Sequence, residues 1–275
     1  LKVPQLALGT IAWVPKNPAD AERIAHTARV ARELGLDFVD TAERYGASGA
    51  SLIPAALSAI GRALGLPIKE AYTGGDCESN LAQWGAGSTV GTKFTPTPWR
   101  RSAQDVVDAC EASAKRLGVE SLDLYQIHMP DIIQPLRAFG YVDVADEAYW
   151  DGLAECYHRG LARNVGVSNY GPTLVAKAHA ALAKRGVPLA SNQIHFSLLY
   201  RQQGSLATVQ RCRELGVQVL AYYPLAMGLL TGELDADALR EKKDIRSQDL
   251  LRYLEGGVGG TAGRVPDGGV APLVD

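Results

Sequence analysis

The sequence predicts an α/β fold of the (β/α)8 TIM-barrel type, in which about seven strands alternate with helices along the chain. Short runs rich in β-branched and aromatic residues largely lack alternation between apolar and polar positions, which is typical of strands buried on both faces of a parallel sheet. Several helical segments end in Gly followed by an aliphatic residue, as in Gly118-Val119 and Gly216-Val217. Glycine suits the left-handed position just after a helix. A doubly wound parallel sheet is the second choice.

The predicted elements follow one another in a regular order. The strands are expected at residues 6–9, 38–39, 89–94, 122–127, 165–167, 190–196 and 217–222. The helix before the second strand begins at Asn17-Pro18, an N-cap residue followed by proline. The helix before the fourth strand begins at Ser102, which forms a capping box with Asp105. Residues 65–88 are rich in Gly, Ser, Asn and Asp and predict a long loop.

The 275 residues, 47% of them apolar and 21% charged, fit one large domain or at most two small ones. No convincing helix–strand unit follows Pro224, and residues 256–275 contain seven glycines and two prolines. The sequence therefore predicts a barrel domain over residues 1–255 and a Gly-rich flexible tail over residues 256–275.

Composition argues against two kinds of partner. The net charge is −2 and no cluster of Lys and Arg forms the basic stripe that phosphate backbones require, so nucleic acid is not expected. Polar residues, Pro and Gly interrupt the most apolar stretch, residues 217–230, which is shorter than the roughly 20 residues that span a bilayer, so no membrane partner is expected. The four cysteines form no CxxC pair, which indicates reduced thiols and no metal site.

Polar side chains stand where the predicted strands end, and in a (β/α) barrel the chemistry lies at those carboxyl ends. Asp40 ends the second strand and Tyr45 follows five residues later, while Lys93 and His128 end the third and fourth strands. Each residue alone has a structural interpretation, such as a helix cap for Asp40 or loop packing for Tyr45. A lysine at the end of a buried strand must find a counter-charge or lose its proton, and Asp40 is the obvious partner for Lys93.

Further motifs continue this series toward the C-terminus. In order, the motifs are Asp40-Thr41-Ala42 with Tyr45-Gly46, Thr92-Lys93-Phe94, Asp123 to His128, Gly166 to Tyr170, Asn192-Gln193, Tyr222 to Leu225 and Gly228 to Gly232. From about Leu6 to Gly232, the series resembles the aldo-keto reductase superfamily. Three stretches look most like plastid-type plant and algal members, including pyridoxal reductase-like ones: Pro98-Trp99-Arg100, Trp150 to Leu153 and Gly186 to Leu189.

The resemblance implies NADPH-dependent reduction of an aldehyde or ketone, with a catalytic tetrad at Asp40, Tyr45, Lys93 and His128. A carbonyl carbon accepts hydride readily only if its oxygen is protonated, and a phenol with an ordinary pKa near ~10 is a weak acid at neutral pH. An ammonium at Lys93 would lower the pKa of Tyr45, and Asp40 would hold Lys93 in place. A neutral His128 would donate a hydrogen bond that orients the substrate oxygen.

The resemblance also assigns residues to the NADPH cofactor and to a substrate pocket. Ser168, Asn169 and Gln193 would bind the nicotinamide carboxamide, and Tyr222 would stack on the nicotinamide ring. The other residues expected beside the cofactor are Thr10, Asp40, Pro224 and Leu225, and those expected in the substrate pocket are Trp13 and Met129. On their own, Ser168 and Asn169 also fit an N-cap, and Tyr222 also fits core packing.

The chain departs from the family pattern in three places. Tyr223 replaces the small residue that usually follows the stacking tyrosine, and residues 47–52 lack the glutamate that usually stands near the next helix start. The family's eighth strand and last helix have no recognisable counterpart between Glu233 and Asp275, so we expect an incomplete barrel with about seven strands. A non-catalytic protein that senses the cofactor or interacts with other proteins is therefore the alternative to an enzyme.

The sequence begins at Leu1 and not at Met, so we expect the given N-terminus to be incomplete, and no transit peptide is visible in the residues given. Reduced cysteines and the plastid-type resemblance together lead us to expect the cytoplasm or the plastid stroma. A small carbonyl compound is the expected partner, and the sequence specifies neither its identity nor the oligomeric state.

Overall fold

The computed structural model of the chain describes residues 4–46, 76–84, 88–132, 144–201, 203–233, 236–241 and 251. The chain divides into two compact units. The first contains Leu1–Ser168 and Lys177–Ala190, and the second contains Asn169–Ala176 and Ser191–Asp275. All four residues of the expected catalytic tetrad therefore belong to the first unit.

The first unit is built on five parallel strands. They are β1 (Leu8–Gly9), β2 (Phe38–Asp40), β3 (Thr89–Phe94), β4 (Leu124–Ile127) and β5 (Val165–Ser168). Each strand pairs with the next one along the chain. Every residue of β4 and β5 is buried, which accounts for the lack of apolar–polar alternation in these strands. The register places Asp40 opposite Gly91, two residues before Lys93, so the two charged residues lie near the same end of neighbouring strands.

Four helices lie wholly in the described part of the first unit, and the first and third of them begin where the sequence predicts. The four helices are α1 (Pro18–Glu33), α2 (Asp76–Trp84), α3 (Ala103–Leu117) and α4 (Asp146–His158). Asn17 caps α1 by accepting a hydrogen bond from the backbone nitrogen of Asp20, and Ser102 and Asp105 form the capping box of α3. Gly118 after α3 has a φ of 70°, in the left-handed region. Both predicted caps and this glycine position are confirmed.

The prediction of a loop over residues 65–88 is wrong for the stretch that forms α2. Ser and Asn in this stretch are weak helix formers, which is why local propensity favours a loop. Burial of Cys77, Glu78 and Leu81 on the helix outweighs that preference. Asp76 and Glu78 lie in the first turn and stabilise the partial positive charge of the helix N-terminus. Residues 65–75 and 85–87 lie outside the described part of the chain.

The second unit contains a pair of parallel strands. Helix α5 (Pro172–Lys184) and strand β6 (Leu189–His195) each have residues in both units. Helix α6 (Gln203–Glu214) leads to β7 (Gln218–Tyr222), which pairs with β6. A 3-10 turn (Ala226–Gly228) and α7 (Ala236–Glu241) follow β7. A small buried apolar cluster forms from three residues that follow β7 in the sequence: Ala226, Leu229 and Leu239.

These elements confirm the predicted fold class, an α/β fold of the (β/α)-barrel type with seven parallel strands among the described residues. Every strand boundary lies within two residues of its predicted position. After Tyr222 the described residues contain a 3-10 turn and a short helix but no strand. Residues 256–275 lie outside the described part, so the domain boundary at residue 255 stays a prediction. None of the helices in the described ranges has the length and apolar character needed to cross a membrane.

Candidate active site

Lys93 lies at the centre of the tetrad in the first unit. Its side chain has 0% exposure. The Nζ atom donates hydrogen bonds to both carboxylate oxygens of Asp40 at 2.8 Å and to the backbone oxygen of Thr41 at 2.7 Å. The hydroxyl oxygen of Tyr45 lies 3.4 Å from Nζ. The ion pair with Asp40 that the strand ends predict is present, because β2 and β3 are neighbours in the sheet.

Two opposing effects act on the pKa of Lys93. Burial removes water from the ammonium and lowers the pKa, whereas the Asp40 carboxylate raises it. Burial is the larger effect, so the pKa of Lys93 lies below its ordinary value. The four atoms that contact Nζ are all oxygens that can accept a hydrogen bond. An ammonium, which has three donors and no acceptor, is therefore the form of Lys93 that fits its surroundings.

Tyr45 and His128 complete the group. Tyr45 is half-buried in the loop after β2, and its ring centroid lies 5.0 Å from Nζ of Lys93. His128 follows β4, and its backbone nitrogen donates to the oxygen of Phe94 at 2.8 Å. The two rings meet edge to face, with centroids 5.8 Å apart and planes at 78°. The structure thus brings together all four residues that the sequence proposes for catalysis.

His128 is uncharged at neutral pH. Burial, followed by the positive charges of Lys93 and Arg44, lowers the pKa of His128 from 6.5 to about 3. Its Nδ1 atom lies 3.4 Å from the hydroxyl oxygen of Thr95. A neutral imidazole carries one N–H donor and one acceptor nitrogen, so His128 can donate a single ring hydrogen bond.

A buried ion pair that the sequence did not reveal lies beside the tetrad. Glu43 is 4% exposed and accepts two hydrogen bonds from the guanidinium of Arg100, at 2.6 and 3.2 Å. The Oε1 atom of Glu43 also accepts a hydrogen bond from the backbone nitrogen of Thr95 at 2.6 Å. The partners are 57 residues apart in the sequence, so no local pattern signals the pair.

A second buried carboxylate, Glu78 of α2, lies against β3. It accepts hydrogen bonds from the hydroxyl of Thr92 at 2.5 Å and from Nε of Arg116 at 2.6 Å. Burial raises the pKa of Glu78, although Arg116 and Thr92 oppose this effect. The backbone nitrogen of Cys77 donates to the backbone oxygen of Tyr45 at 3.4 Å, so the first turn of α2 is bonded to the loop that carries Tyr45. The sequence has no glutamate at residues 47–52, which lie outside the described ranges, and α2 supplies a buried one instead.

Thr10 and Ser168 are the residues of the first unit that the sequence proposes for the cofactor in addition to Asp40. The backbone nitrogen and the hydroxyl of Thr10 both donate to the backbone oxygen of Asp40, at 3.0 and 3.1 Å. Ser168 is the last residue of β5 and is buried. Thr10 is therefore tied to the backbone of the aspartate that pairs with Lys93.

The two residues proposed for the substrate pocket have different surroundings. Trp13 is buried, and its ring meets that of Trp84 edge to face with centroids 6.5 Å apart. The side-chain nitrogen of Asn80 donates to the backbone oxygen of Trp13 at 3.1 Å. Met129 is half-buried and follows His128 directly in the chain. Residues of α2 thus hold Trp13 in place, whereas Met129 is placed near the tetrad by its neighbour His128.

In the second unit, Tyr222 belongs to an aromatic cluster. The ring of His195 stacks on those of Tyr200 and Tyr222, with centroid distances of 3.8 and 5.2 Å and planes 13° apart in both pairs. The hydroxyl of Tyr222 donates to Oδ1 of Asn169 at 2.8 Å. Asn169 has a φ of 61°, and its backbone nitrogen donates to the oxygen of Gln193 at 2.8 Å. Sequence reasoning missed His195 and Tyr200, because stacking depends on tertiary contacts.

A cavity of about 480 Å³ lies beside this aromatic cluster, and its walls include Asn169, His195 and Tyr222. Gln193, in β6, is buried. Pro224 and Leu225, which the sequence also proposes for the cofactor, are exposed, Leu225 to 54%. The second unit therefore presents the side-chain amide of Asn169, the phenol of Tyr222 and stacked rings around one cavity.

The chain matches a known protein family over most of its length. The profile described as the aldo/keto reductase family matches residues 5–255. The chain belongs to this family. The match includes every residue of the tetrad and every residue proposed for the cofactor, and it confirms the resemblance drawn from the motifs.

Two relatives of this chain are reductases by name. The chloroplastic pyridoxal reductase of Arabidopsis thaliana is 33% identical over 244 residues, which are 87% of this chain and 61% of that protein. The chain thus spans about three fifths of the length of that relative. The 6-dehydroglucose reductase of Novosphingobium aromaticivorans is 28% identical over 258 residues, 91% of this chain and 75% of the relative.

A solved structure supports the fold. The aldo-keto reductase of Bombyx mori in complex with NADP has a TM-score of 0.54 and 25% identity to this chain, with coverage of 92% of this chain and 76% of that one. The (β/α)-barrel fold class is therefore shared with a relative that binds a nicotinamide cofactor.

Proposed function

We propose that the protein reduces an aldehyde or a ketone to the alcohol, with NADPH as the hydride source and Tyr45 as the proton donor. The observation that carries the proposal is the buried Nζ of Lys93, which contacts both oxygens of Asp40 and lies 3.4 Å from the Tyr45 hydroxyl. A phenol beside a buried ammonium is suited to act as a general acid, and carbonyl reduction requires one.

The proton comes from the hydroxyl of Tyr45. As hydride adds to the carbonyl carbon, negative charge develops on the carbonyl oxygen, and a positioned acid typically accelerates such a step by about 10²–10⁴-fold. The ammonium of Lys93 stabilises the phenolate left on Tyr45, and Asp40 holds that ammonium in place. Because Lys93 is fully buried, little water screens this attraction.

His128 orients the substrate oxygen. Its low pKa of about 3 keeps it neutral throughout the physiological range, so it donates a hydrogen bond without carrying a charge. Its ring packs edge to face against Tyr45. An oxygen that accepts the His128 hydrogen bond would therefore lie close to the acidic phenol.

The polar groups of the second unit fit a nicotinamide cofactor, and NADPH supplies hydride when bound. Asn169 and Gln193 each carry a donor and an acceptor, which complement the two ends of a carboxamide. Tyr222 offers a ring for stacking, and the neighbouring cavity of about 480 Å³ has the size of small-molecule sites. Within the proposal, the nicotinamide residues are Ser168, Asn169, Gln193 and Tyr222, and the remaining cofactor residues are Thr10, Asp40, Pro224 and Leu225. The NADP complex of the Bombyx mori relative supports this cofactor.

The substrate in this proposal is a small carbonyl compound, and Trp13 and Met129 line its pocket. The names of the Arabidopsis thaliana and Novosphingobium aromaticivorans relatives specify pyridoxal and 6-dehydroglucose. Pyridoxal is an aldehyde, so it is the first compound to test.

The compartment belongs to the same proposal. The described cysteines are free thiols, which suits the cytoplasm or the plastid stroma. The Arabidopsis thaliana relative is chloroplastic by name, which favours the plastid. Fluorescence microscopy of a tagged protein expressed from its own gene distinguishes the two.

The test of the function measures NADPH consumption and alcohol formation by the purified chain with pyridoxal and a panel of other aldehydes and ketones. We expect one NADPH to be oxidised for each alcohol formed. Tyr45→Phe should lower the rate by about a hundredfold or more, while the Kd for NADPH stays within about twofold, because the phenol acts on the substrate oxygen and not on the nucleotide. The control Tyr157→Phe removes a phenol from α4 and should leave the rate unchanged. NADPH binding without any turnover would favour the non-catalytic alternative.

A further inference from the structure

The Glu43–Arg100 ion pair has no part in the chemistry proposed above, yet it connects two loops that follow neighbouring strands. Glu43 lies in the loop after β2, between Asp40 and Tyr45, and Arg100 lies in the segment after β3. The side chains are 5% and 11% exposed. Both guanidinium nitrogens Nη1 and Nη2 contact the carboxylate, so the pair fixes an orientation as well as a distance.

The pair holds Thr95 from both sides. Oε1 of Glu43 accepts a hydrogen bond from the backbone nitrogen of Thr95 at 2.6 Å, and Nη1 of Arg100 donates to the backbone oxygen of Thr95 at 3.2 Å. Thr95 is fully buried, and buried backbone groups need such partners. The ion pair thus sets the position of the Thr95 backbone.

Thr95 in turn faces the tetrad histidine. Its hydroxyl oxygen lies 3.4 Å from Nδ1 of His128. A hydroxyl that donates to Nδ1 requires that nitrogen to be unprotonated, and the single proton of the neutral ring then lies on Nε2. The charged groups that lower the pKa of His128 are Lys93 and Arg44, and both disfavour a second proton on the ring.

We propose that the Glu43–Arg100 pair acts as a positioning device, which holds Thr95 so that its hydroxyl keeps the neutral His128 in the tautomer with its proton on Nε2. The inference rests on the proposed function, because the Nε2 proton is the one that His128 would offer to a substrate oxygen. Glu43, Arg100 and Thr95 are positioning residues, since they act through His128.

An ion pair positions the Thr95 backbone better than apolar packing would. The fork of Arg100 binds the carboxylate at two points and still reaches the oxygen of Thr95, which a lysine ammonium cannot reproduce in the same geometry. The guanidinium also lies over the ring of Phe94, with its carbon 4.2 Å from the ring centroid, which limits its movement. Phe94 precedes Thr95 directly, so these contacts restrain the same stretch of backbone.

The test uses nitrogen-15 NMR of the histidine side chains in the purified full chain without NADPH, with His128 assigned by its loss in His128→Gln. In the parent protein we expect Nε2 to be protonated and Nδ1 unprotonated at pH 7. Thr95→Val removes the hydroxyl and keeps the shape of the side chain. It should lower the ratio of the Nε2–H to the Nδ1–H tautomer by about three- to tenfold, which corresponds to one ordinary hydrogen bond.

Variants of the ion pair give the second arm of the test. Glu43→Gln and Arg100→Gln should lower the tautomer ratio at least about twofold, because each variant removes one charge of the ion pair that holds the Thr95 backbone. Arg100→Lys keeps the charge without the fork and should give an intermediate ratio. The matched control is Arg101→Gln, whose arginine pairs with buried Asp131 at 3.1 Å. It should leave the ratio unchanged.

Measurements of kcat, combined with the tautomer ratio, distinguish a failure of this inference from a failure of the proposed function. Thr95→Val and Glu43→Gln should lower kcat for carbonyl reduction by no more than the factor by which each variant lowers the tautomer ratio, with the Kd for NADPH unchanged. A parental tautomer ratio in Thr95→Val, or equal shifts in Arg100→Gln and Arg101→Gln, would overturn the inference. A parent protein without carbonyl reduction defeats the proposed function, but the NMR measurement still decides whether the ion pair positions His128. If Glu43→Gln fails to fold, Arg100→Lys tests the ion pair, since it keeps the charge, and Thr95→Val tests the hydroxyl, since it retains the ion pair.

Discussion

Charged hydrogen bonds hold the residues around Lys93, whereas ring stacking and unusual backbone angles hold those around Tyr222. In the first unit, Lys93 is fully buried and bonded to Asp40 at 2.8 Å, and Glu43 is bonded to Arg100 at 2.6 Å. In the second unit, Tyr222 is only half-buried and stacks on His195 with centroids 5.2 Å apart. All four non-glycine residues with positive φ in the described chain belong to the second unit: Asn169, Tyr223, Ala226 and Met227.

These two kinds of contact suit different chemistry. Charge-assisted hydrogen bonds fix atoms in distance and direction, which proton transfer from Tyr45 requires. Stacked rings tolerate sliding and suit the binding of another flat ring such as nicotinamide. A non-glycine residue in the left-handed region costs about 1–2 kcal/mol, so the conformation around Tyr223 persists only because its surroundings hold it.

The largest effect is expected from Lys93→Met, which removes the charge from the first region. We expect kcat to fall by a hundredfold or more and the free energy of unfolding to fall by about 3 kcal/mol, because the Asp40 carboxylate loses its buried partner. The control is Lys115→Met at an exposed site on α3. Single-turnover kinetics and urea unfolding check both values. Near-parental activity in Lys93→Met would show that the buried ammonium does not support Tyr45.

The second-largest loss of stability and activity is expected at the junction between Tyr45 and α2. Gly46 has a φ of +84°, and a Cβ there would lie 2.7 Å from Cγ2 of Val14 and 2.8 Å from Cβ of Asp76. Gly35 has a similar φ of +74° but nothing within 4 Å of a Cβ. Gly35→Ala should therefore cost about 1 kcal/mol for its backbone angle alone, and Gly46→Ala should cost about 1–3 kcal/mol more and lower kcat. Equal costs in urea unfolding would show that the junction is loosely packed.

A smaller, pH-dependent effect tests the burial of His128. Its folded pKa of about 3 lies below the unfolded value of 6.5, so the unfolded chain binds more protons between these values. The contribution of His128 to the free energy of unfolding is therefore fully present above pH 6.5. It declines as the pH falls toward 3, by at most about 1.4 kcal/mol per pH unit. His128→Gln should flatten this decline, whereas His26→Gln at an exposed site should not. Urea unfolding at pH 7, 5.5 and 4.5 makes the comparison, and parallel curves for parent and His128→Gln would contradict it.

The smallest effect is expected in the aromatic cluster. Tyr222→Phe removes the hydrogen bond to Asn169 but keeps the ring that stacks on His195. The free energy of unfolding should fall by about 0.5–1.5 kcal/mol, and the Kd for NADPH should rise by no more than about tenfold. Fluorescence titration of NADPH checks the Kd. A complete loss of binding would show that the hydroxyl, and not the ring, is the main contact.

Local rules explain most of what could be predicted from the sequence. The caps at Asn17 and Ser102 depend on residues within one helical turn, and the pairing of Lys93 with Asp40 follows from neighbouring strand ends. Helix α2 was missed because burial of Leu81 outweighs weak local propensity. The Glu43–Arg100 pair was missed because its partners meet only after the strands have assembled, and the stacking of His195 was missed for the same reason.

The most direct test of the central claim compares the loss of one phenol in each region. Single-turnover hydride transfer is measured at saturating NADPH and substrate for the parent, Tyr45→Phe and Tyr222→Phe. We expect Tyr45→Phe to slow hydride transfer by about a hundredfold or more and Tyr222→Phe to change it by less than about threefold. A parental rate in Tyr45→Phe, or equal slowing in both variants, would contradict the assignment of Tyr45 as the proton donor.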